Sequence, residues 1–486
     1  MKRLDQLDYC HTYADLGASL SSRVNPTPLD DPYLIHANHR LAKTLGIDIE
    51  SVGDEILTQL LSGQGILDSW SPIAMKYTGH QFGQYNPDLG DGRGLLLTEF
   101  VDDKGEKWDF HLKGSGQTPY SRGADGRAVI RSSVREYLIS AAMDGLGIPT
   151  TCALALSGAK TPIQREEIES AATLLRIAPS HVRFGHFEYL FYSGQPAELK
   201  ALADYIIHWH MPDLEDSHDK YAAFFQEVTK RTASMIAHWQ AYGFCHGVMN
   251  TDNMSILGLT FDYGPFAFLD TYLSKHICNH SDYSGRYAFH QQPGIGQWNL
   301  SALGYALSSL IDSKQIETSL QGYAPQIQAQ YRRLMRARFG LQSKHENDPE
   351  LINSCLELME KLGLDFHYTL RVLSETSPND WAETTLDSTL NKPEFITWLA
   401  GYKKRVLLDY SNDQERQTLM QRVNPKYILR THLAQEAIEQ VENGEFDILE
   451  TWLKVLANPF VEHACPSHWS LPPRNDQKGI CLSCSS

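Results

Sequence analysis

The sequence predicts an α+β fold, β-containing in its N-terminal part and largely helical in its C-terminal part. Three observations predict it. Two short apolar runs, LLLTEFV (95–101) and WDFHLKG (108–114), flank a charged turn at Asp102 and Asp103, the pattern of an antiparallel strand pair. The segment AVIRSSVREYLISAAMDGL (128–146) follows with apolar residues three and four apart, the period of a helix. From about Ala201 onward that same period dominates, through ALADYIIHWH, YAAFFQEVTKRTASMIAHWQAYGF and most of 299–445.

In chain order, PYLIHANHRLAKTLGI (from Pro32) is expected to be helical, because Leu34, Ile35, Leu41, Leu45 and Ile47 recur at roughly helical spacing. In 108–114, Trp108, Phe110 and Leu112 alternate with polar neighbours, so the strand has one apolar face. In 128–146, Ile130, Val134, Tyr137, Leu138 and Ala141 form the apolar face, and Gly147 followed by Pro149 ends the helix. Residues 246–270 interrupt the helical part with short strands. The tail, CPSHWSLPPRNDQKGICLSCSS, is rich in turn formers and is expected to be an extended arm. The division is therefore 1–190 for an extension and a β-containing lobe, 191–462 for a helical lobe, and 463–486 for a flexible cysteine-containing tail.

The 486 residues are 42% hydrophobic and 21% charged, enough for one large two-lobed enzyme with an ordinary core. A net charge of −16 argues against a nucleic-acid partner but leaves room for a local basic pocket. The N-terminus has two early basic residues and no apolar run behind them, and no stretch approaches the roughly 18 apolar residues of a membrane span, so a cytoplasmic protein with no membrane partner is expected. Eight cysteines in a chain of this length do not read as a disulfide framework.

Chemistry concentrates in four places. GDGRG, Gly90 to Gly94, precedes a strand; Gly90 and Gly92 let backbone amides approach an anion and Arg93 adds a charge. Lys113 lies on the next strand and Glu136 on the helix after it, an order that suits a phosphate-pairing lysine oriented by a glutamate. Residues 111–135 hold five basic side chains (Lys113, Arg122, Arg127, Arg131, Arg135) against one acid, Asp125, and Arg176 and Arg183 follow; together they suggest a phosphate pocket. The fourth place is HGVMNTDN (246–253) followed by DYGP (262–265). In kinases the catalytic loop reads H-R-D-x-x-x-x-N and the metal motif D-F-G. His246 and Asn253 match the first, and Asp262, Tyr263 and Gly264 match the second. Val248 stands where the catalytic Asp would be, and the nearest carboxylate is Asp252. Asn253 and Asp262 offer hard oxygen ligands for Mg²⁺ or Mn²⁺ on a polyphosphate, which leaves Asp252 to accept a proton. These residues alone leave three readings open: a kinase-like fold that transfers phosphate, one that transfers another part of ATP, and an inactive nucleotide-binding scaffold.

The blocks GHQFGQYNPDLGDGRG, LKGSGQTPYSRGADGRAVIRSSVREYL, RIAPSHVRFGHFE, HGVMNTDNMSILGLTFDYGPFAFLD and NHSDYSGRYAF resemble the selenoprotein O family of protein adenylyltransferases. Gly94, Ala141 and Cys152 depart from its pattern. The resemblance implies a protein-kinase-like, two-lobed fold that binds ATP in reversed orientation and transfers AMP to Ser, Thr or Tyr hydroxyls of proteins, releasing pyrophosphate. It implies Asp252 as base, Asn253 and Asp262 on the metal, and Lys113, Arg176 and Arg183 on the distal phosphates. Glu136 would orient Lys113, and Gly90, Gly92, Arg93, Asp125 and Gly126 would line the nucleotide site. Cys484 stands where some members carry selenocysteine. A tail bearing Cys484 could reach Cys278, which follows Asp262, and form a redox-sensitive disulfide. Cys481 and Cys484, with Cys465, His463 and His468 nearby, make an incomplete zinc pattern.

Overall fold

The computed structural model describes residues 1–381 and 387–480. Its N-terminal part is built on a nine-stranded sheet. The strands are β1 (Asp8–Cys10), β2 (Ser21–Arg23), β3 (Pro32–Ala37) and β4 (Ile73–Met75), then, past a separate hairpin of β5 (Gly79–Gln81) and β6 (Gln84–Asn86), β7 (Gly94–Val101), β8 (Lys107–Lys113), β9 (Ala128–Val129), β10 (Cys152–Gln164) and β11 (Ile168–Ala178). The order is β2-β4-β7-β8-β11-β10-β3, with β1 beside β7 and β9 beside β11.

Strand alternation places the site. On β7, β8 and β11, Leu95, Leu97, Phe110, Leu112, Leu175 and Ile177 point into one apolar core, shared with α1 (His39–Thr44) and α2 (Asp54–Ser62). The intervening residues face the other side. His111 pairs with Arg176 in register, and Lys113 pairs with Gly94 and Leu174, so His111, Lys113 and Arg176 share one face. Helix α3 (Ile130–Gly145) covers that side of the sheet, with Ile130, Val134, Tyr137 and Leu138 buried in a second core.

The rest is mainly helical: α4 (Phe184–Tyr192), α5 (Pro196–His210), α6 (Lys220–Ala241), α7 (Gln292–Ala306), α8 (Ser313–Arg338), α9 (Asp348–Leu362), α10 (Phe366–Glu375), α11 (Pro393–Val406), α12 (Asp413–Gln421), α13 (Thr431–Glu442) and α14 (Asp447–Ala457). The second core continues from α3 through these helices. Between α6 and α7, β12 (Phe244–Cys245) and β13 (Ala267–Phe268) pair and bracket the motif-dense segment. The last two helices return to the N-terminal part and pack on α3.

Two expectations are corrected. Residues 32–37 form strand β3, not the start of a helix; Ile35 and Ala37 are buried at a spacing of two, and Asn38 caps α1 by accepting from Leu41 N at 3.0 Å. The pair 152–178, which carries no expectation in the sequence, forms the long hairpin of β10 and β11. The described tail is not an unpacked arm either. Trp469 is buried and stacks on Trp452 of α14, with ring centres 3.7 Å apart and planes within 9°. An apolar indole in an otherwise turn-rich segment found a partner that local composition does not reveal.

Candidate active site

A cavity of about 470 Å³ opens where the sheet meets the motif segment. Its walls include Gly90, Gly92, Arg93, Lys113, Asp125, Gly126, Arg176, Arg183, Asp252, Asn253 and Asp262, residues that lie up to 172 positions apart in the chain (90 to 262). Glu136 stands directly behind Lys113. Of the basic cluster, Arg122 and Arg127 line the cavity, whereas Arg131 pairs with Glu169 at 2.8 Å and Arg135 donates to Gly264 O at 2.8 Å.

The glycine loop has the shape its residues allow. Gly90 has φ +137°, and a Cβ there would lie 2.6 Å from Tyr120 Cγ. Gly126 has φ +70°, and its Cβ would fall 2.1 Å from Gly116 O. Neither position accepts a side chain without displacing backbone or ring. Asp125 binds the Arg165 guanidinium through both oxygens, at 2.7 and 3.0 Å, and accepts from Arg127 N at 2.8 Å, which fixes the loop's far side.

A chain of buried charges runs through the centre. Lys113 Nζ donates to Glu136 Oε2 at 2.5 Å, and Arg176 Nε donates to Glu136 Oε1 at 2.5 Å. Arg176 Nη1 lies 3.0 Å from Asp262 Oδ1, and Arg183 Nη1 donates to Asp262 Oδ2. Arg183 Nη1 also donates to Asp252 O at 2.7 Å, and its guanidinium is sandwiched by Tyr77 and Phe261, 4.6 and 4.5 Å from their ring centres. Burial alone would raise the Glu136 carboxyl, but Arg176 and Lys113 outweigh it and hold it down to about 2. Burial, helped by Arg93 and Arg176 and opposed by Glu136, pushes Lys113 down to about 8. Asp262 would also be raised by burial, yet Arg183 and Arg176 keep it well below the ordinary carboxylate range. Its backbone is at φ +58°, so the aspartate occupies a left-handed conformation that turns the carboxylate between the two arginines.

Asp252 is the contrasting carboxylate. Burial pushes it up to about 7 against the pull of Arg183 and Gln81. Gln81 Nε2 donates to Oδ2 at 3.2 Å, while Oδ1 is buried and has no hydrogen-bond partner among the described residues. Two carboxylates on one wall thus differ in kind: Asp262 is held ionised by its two arginines, and Asp252 is raised by burial. Asn253 donates its amide to Val248 O at 3.1 Å, which leaves its carbonyl oxygen as an acceptor. Among the described residues no cluster of three or more His, Cys, Asp or Glu assembles to hold a metal. The set that lines the cavity, Asn253 and Asp262, is a pair of hard oxygen donors, which fits a cation that shares its remaining coordination with phosphates and water.

Several wall residues carried no signal as site residues in the sequence. Asp91 lies inside GDGRG; its Oδ2 accepts from Met75 N at 3.1 Å and lies 3.1 Å from His111 Nε2. His111 could have been found by alternation, since it shares a strand face with Lys113. Gln81 and Tyr77 could not, because what joins them to Asp252 and Arg183 is tertiary contact. Cys278 is half-buried and shares a second cavity, of about 390 Å³, with Gln477, Lys478, Gly479 and Ile480. Cys481 and Cys484 lie outside the described residues. His463 Nε2 lies 2.8 Å from Asn458 O and His468 Nε2 2.9 Å from Glu436 Oε2, so both are engaged away from a zinc site.

A glycine loop, a buried lysine–glutamate pair and two unlike carboxylates around one basic cavity define a kinase-like, nucleotide-using transferase. The chain belongs to the SelO family: the family described as "Protein adenylyltransferase SelO" matches residues 3–457. It is similar to "Protein nucleotidyltransferase YdiU" of Photobacterium profundum, 48% identical over 516 residues and 100% of both chains. It is also similar to the proteins of that name from Vibrio cholerae, 51% identical over 98% of both chains, and Pseudomonas aeruginosa, 46% identical over 100% of both. The protein is an enzyme, a nucleotidyltransferase with protein adenylyltransferase activity. Among the described residues no helix is long and apolar enough to cross a membrane.

Proposed function

We propose that ATP occupies the cavity with its β- and γ-phosphates on Lys113, Arg176 and Arg183 and its α-phosphorus toward Asp252. A serine, threonine or tyrosine hydroxyl of a protein then attacks. Its oxygen bonds to the α-phosphorus, the bond from that phosphorus to the bridging oxygen of the β-phosphate breaks, and pyrophosphate leaves. The hydroxyl proton passes to the Asp252 carboxylate. Asn253 and Asp262 would hold Mg²⁺ or Mn²⁺, which neutralises phosphate charge when bound. Glu136 keeps Lys113 and Arg176 aimed into the cavity. Gly90, Gly92, Arg93, Asp125 and Gly126 shape the nucleotide-facing wall.

The observation that carries this reading is the buried oxygen of Asp252, unpartnered among the described residues, on the same wall as a carboxylate clamped by two arginines. Incubation with ATP labelled at the α- or the γ-phosphate tests it. Label from the α-position should enter protein and label from the γ-position should appear only in pyrophosphate. Protein-bound γ-label would mean phosphate transfer, and no label from either would mean a scaffold.

We further propose that Cys484 forms a disulfide with Cys278. The support is that residues 477–480 line the cavity that contains Cys278, which brings the tail to its side. The two thiols would lose two electrons and two protons to an oxidant such as glutathione disulfide.

A further inference from the structure

The hairpin of β5 and β6 covers Asp252, and its tip is strained. A Cβ on Gly79 would lie 2.9 Å from Asp252 N, so the first strand runs directly against the base. Phe82, at the tip, has φ +50°, a conformation that bulky side chains rarely adopt. Such strain persists where neighbours over-determine it, and it gathers at functional sites. Here the neighbours are Asn250, inside the 246–253 motif, and Tyr287 and Arg286, just ahead of α7. Phe82 N donates to Tyr287 Oη at 2.8 Å, and Tyr287 Oη donates to Asn250 Oδ1 at 2.6 Å. A Cβ on Gly83 would lie 3.3 Å from Arg286 Cζ.

The outer side of this assembly is aromatic and cationic. Phe82 is 45% exposed and Trp298 36% exposed. The Arg286 guanidinium lies 5.0 Å from the Trp298 ring centre. Among the described residues Arg286 has no ion-pair partner, and its Nε is buried without a hydrogen-bond partner. An arginine spread on an aromatic face presents a planar fork of donors, the geometry that meets a carboxylate with paired hydrogen bonds. None of these three residues lines the nucleotide cavity.

We propose that Phe82, Arg286 and Trp298 form the docking surface for the acceptor protein, and that the segment docked there carries an acidic side chain near the hydroxyl residue. The inference rests on Asp252 being the base, since the surface matters only if the acceptor hydroxyl arrives there. The hydroxyl residue enters beside the hairpin and the acidic residue meets Arg286.

The test uses the full chain, α-labelled ATP and magnesium, with synthetic Ser-, Thr- and Tyr-centred peptides flanked by Glu, Gln or Lys. Wild type should label the Glu set about five-fold above the Lys set, the upper end of one charge contact at a partly exposed site. Arg286→Glu should invert that order and Arg286→Lys should keep it in weaker form. Titration with a fluorescent ATP analogue should give each variant the wild-type affinity, which shows that the fold is intact. Equal labelling of the Glu and Lys sets by wild type, or a preference that survives Arg286→Glu, overturns the docking surface and leaves AMP transfer standing. Transfer of γ-label in place of α-label overturns the reading beneath it. A dimer in sedimentation that dissociates in Arg286→Glu assigns the surface to a second copy and also overturns the proposal.

Discussion

At the scale of single residues, the site separates two carboxylates by environment. Asp262 touches two guanidinium groups and stays ionised; Asp252 is buried, with one oxygen unpartnered among the described residues, and burial raises its carboxyl to about 7. Asp252→Asn keeps the shape and removes the carboxylate proposed as the base. It should leave ATP affinity within about two-fold and lower the transfer rate by roughly 10²–10⁴, the range for loss of a general base. Single-turnover kinetics beside equilibrium ATP binding separates the two. A fall in affinity with an unchanged rate per bound ATP would make Asp252 a ligand. Much of this site was legible in the sequence because its pieces are contiguous strings: GDGRG, and TDN within HGVMNTDN. The fold brings those strings to the walls of one cavity. Asp252 was reachable because Val248 occupies the usual position of the base. Gln81 was not, because its contact with Asp252 spans 171 residues and has no local pattern.

At the scale of elements, β8, β11 and α3 act as one unit. The sheet register aims Lys113 and Arg176 at the same helix, and Glu136 answers both. Removing the glutamate leaves two buried cations facing each other. Glu136→Ala should therefore destabilise the protein by about 3–5 kcal/mol, the cost of breaking a buried pair by deleting one partner. Chemical denaturation of the variant beside wild type measures it; a change under about 1 kcal/mol, the scale of an exposed pair, would contradict burial of the cluster. The strand 95–101 and the helix within 128–146 were readable from period alone. Residues 32–37 were not, because Leu34 and Ile35 fit either period over so short a run. Their strand character comes from pairing with β10, which sequence spacing does not show.

At the scale of the whole molecule, the chain's end supports its beginning. Helices α13 and α14 pack on α3, and a Cβ on Gly145 would lie 1.8 Å from Leu456 O, so the two parts meet at backbone distance. The tail then passes Trp452 and reaches the Cys278 cavity. If Cys278 and Cys484 are joined there, non-reducing peptide mapping should recover that link, and a reductant should change the transfer rate in wild type but not in Cys484→Ser. A link between Cys481 and Cys484, or no effect of reductant, would remove the switch. The direction in which ATP lies separates AMP transfer from phosphate transfer, and a crystal structure with Mg²⁺ and a non-hydrolysable ATP analogue would reveal it. The α-phosphorus should lie beside Asp252, with the β- and γ-phosphates on Lys113, Arg176 and Arg183. A γ-phosphate beside Asp252, with those three side chains on the α-phosphate or on none, would contradict it.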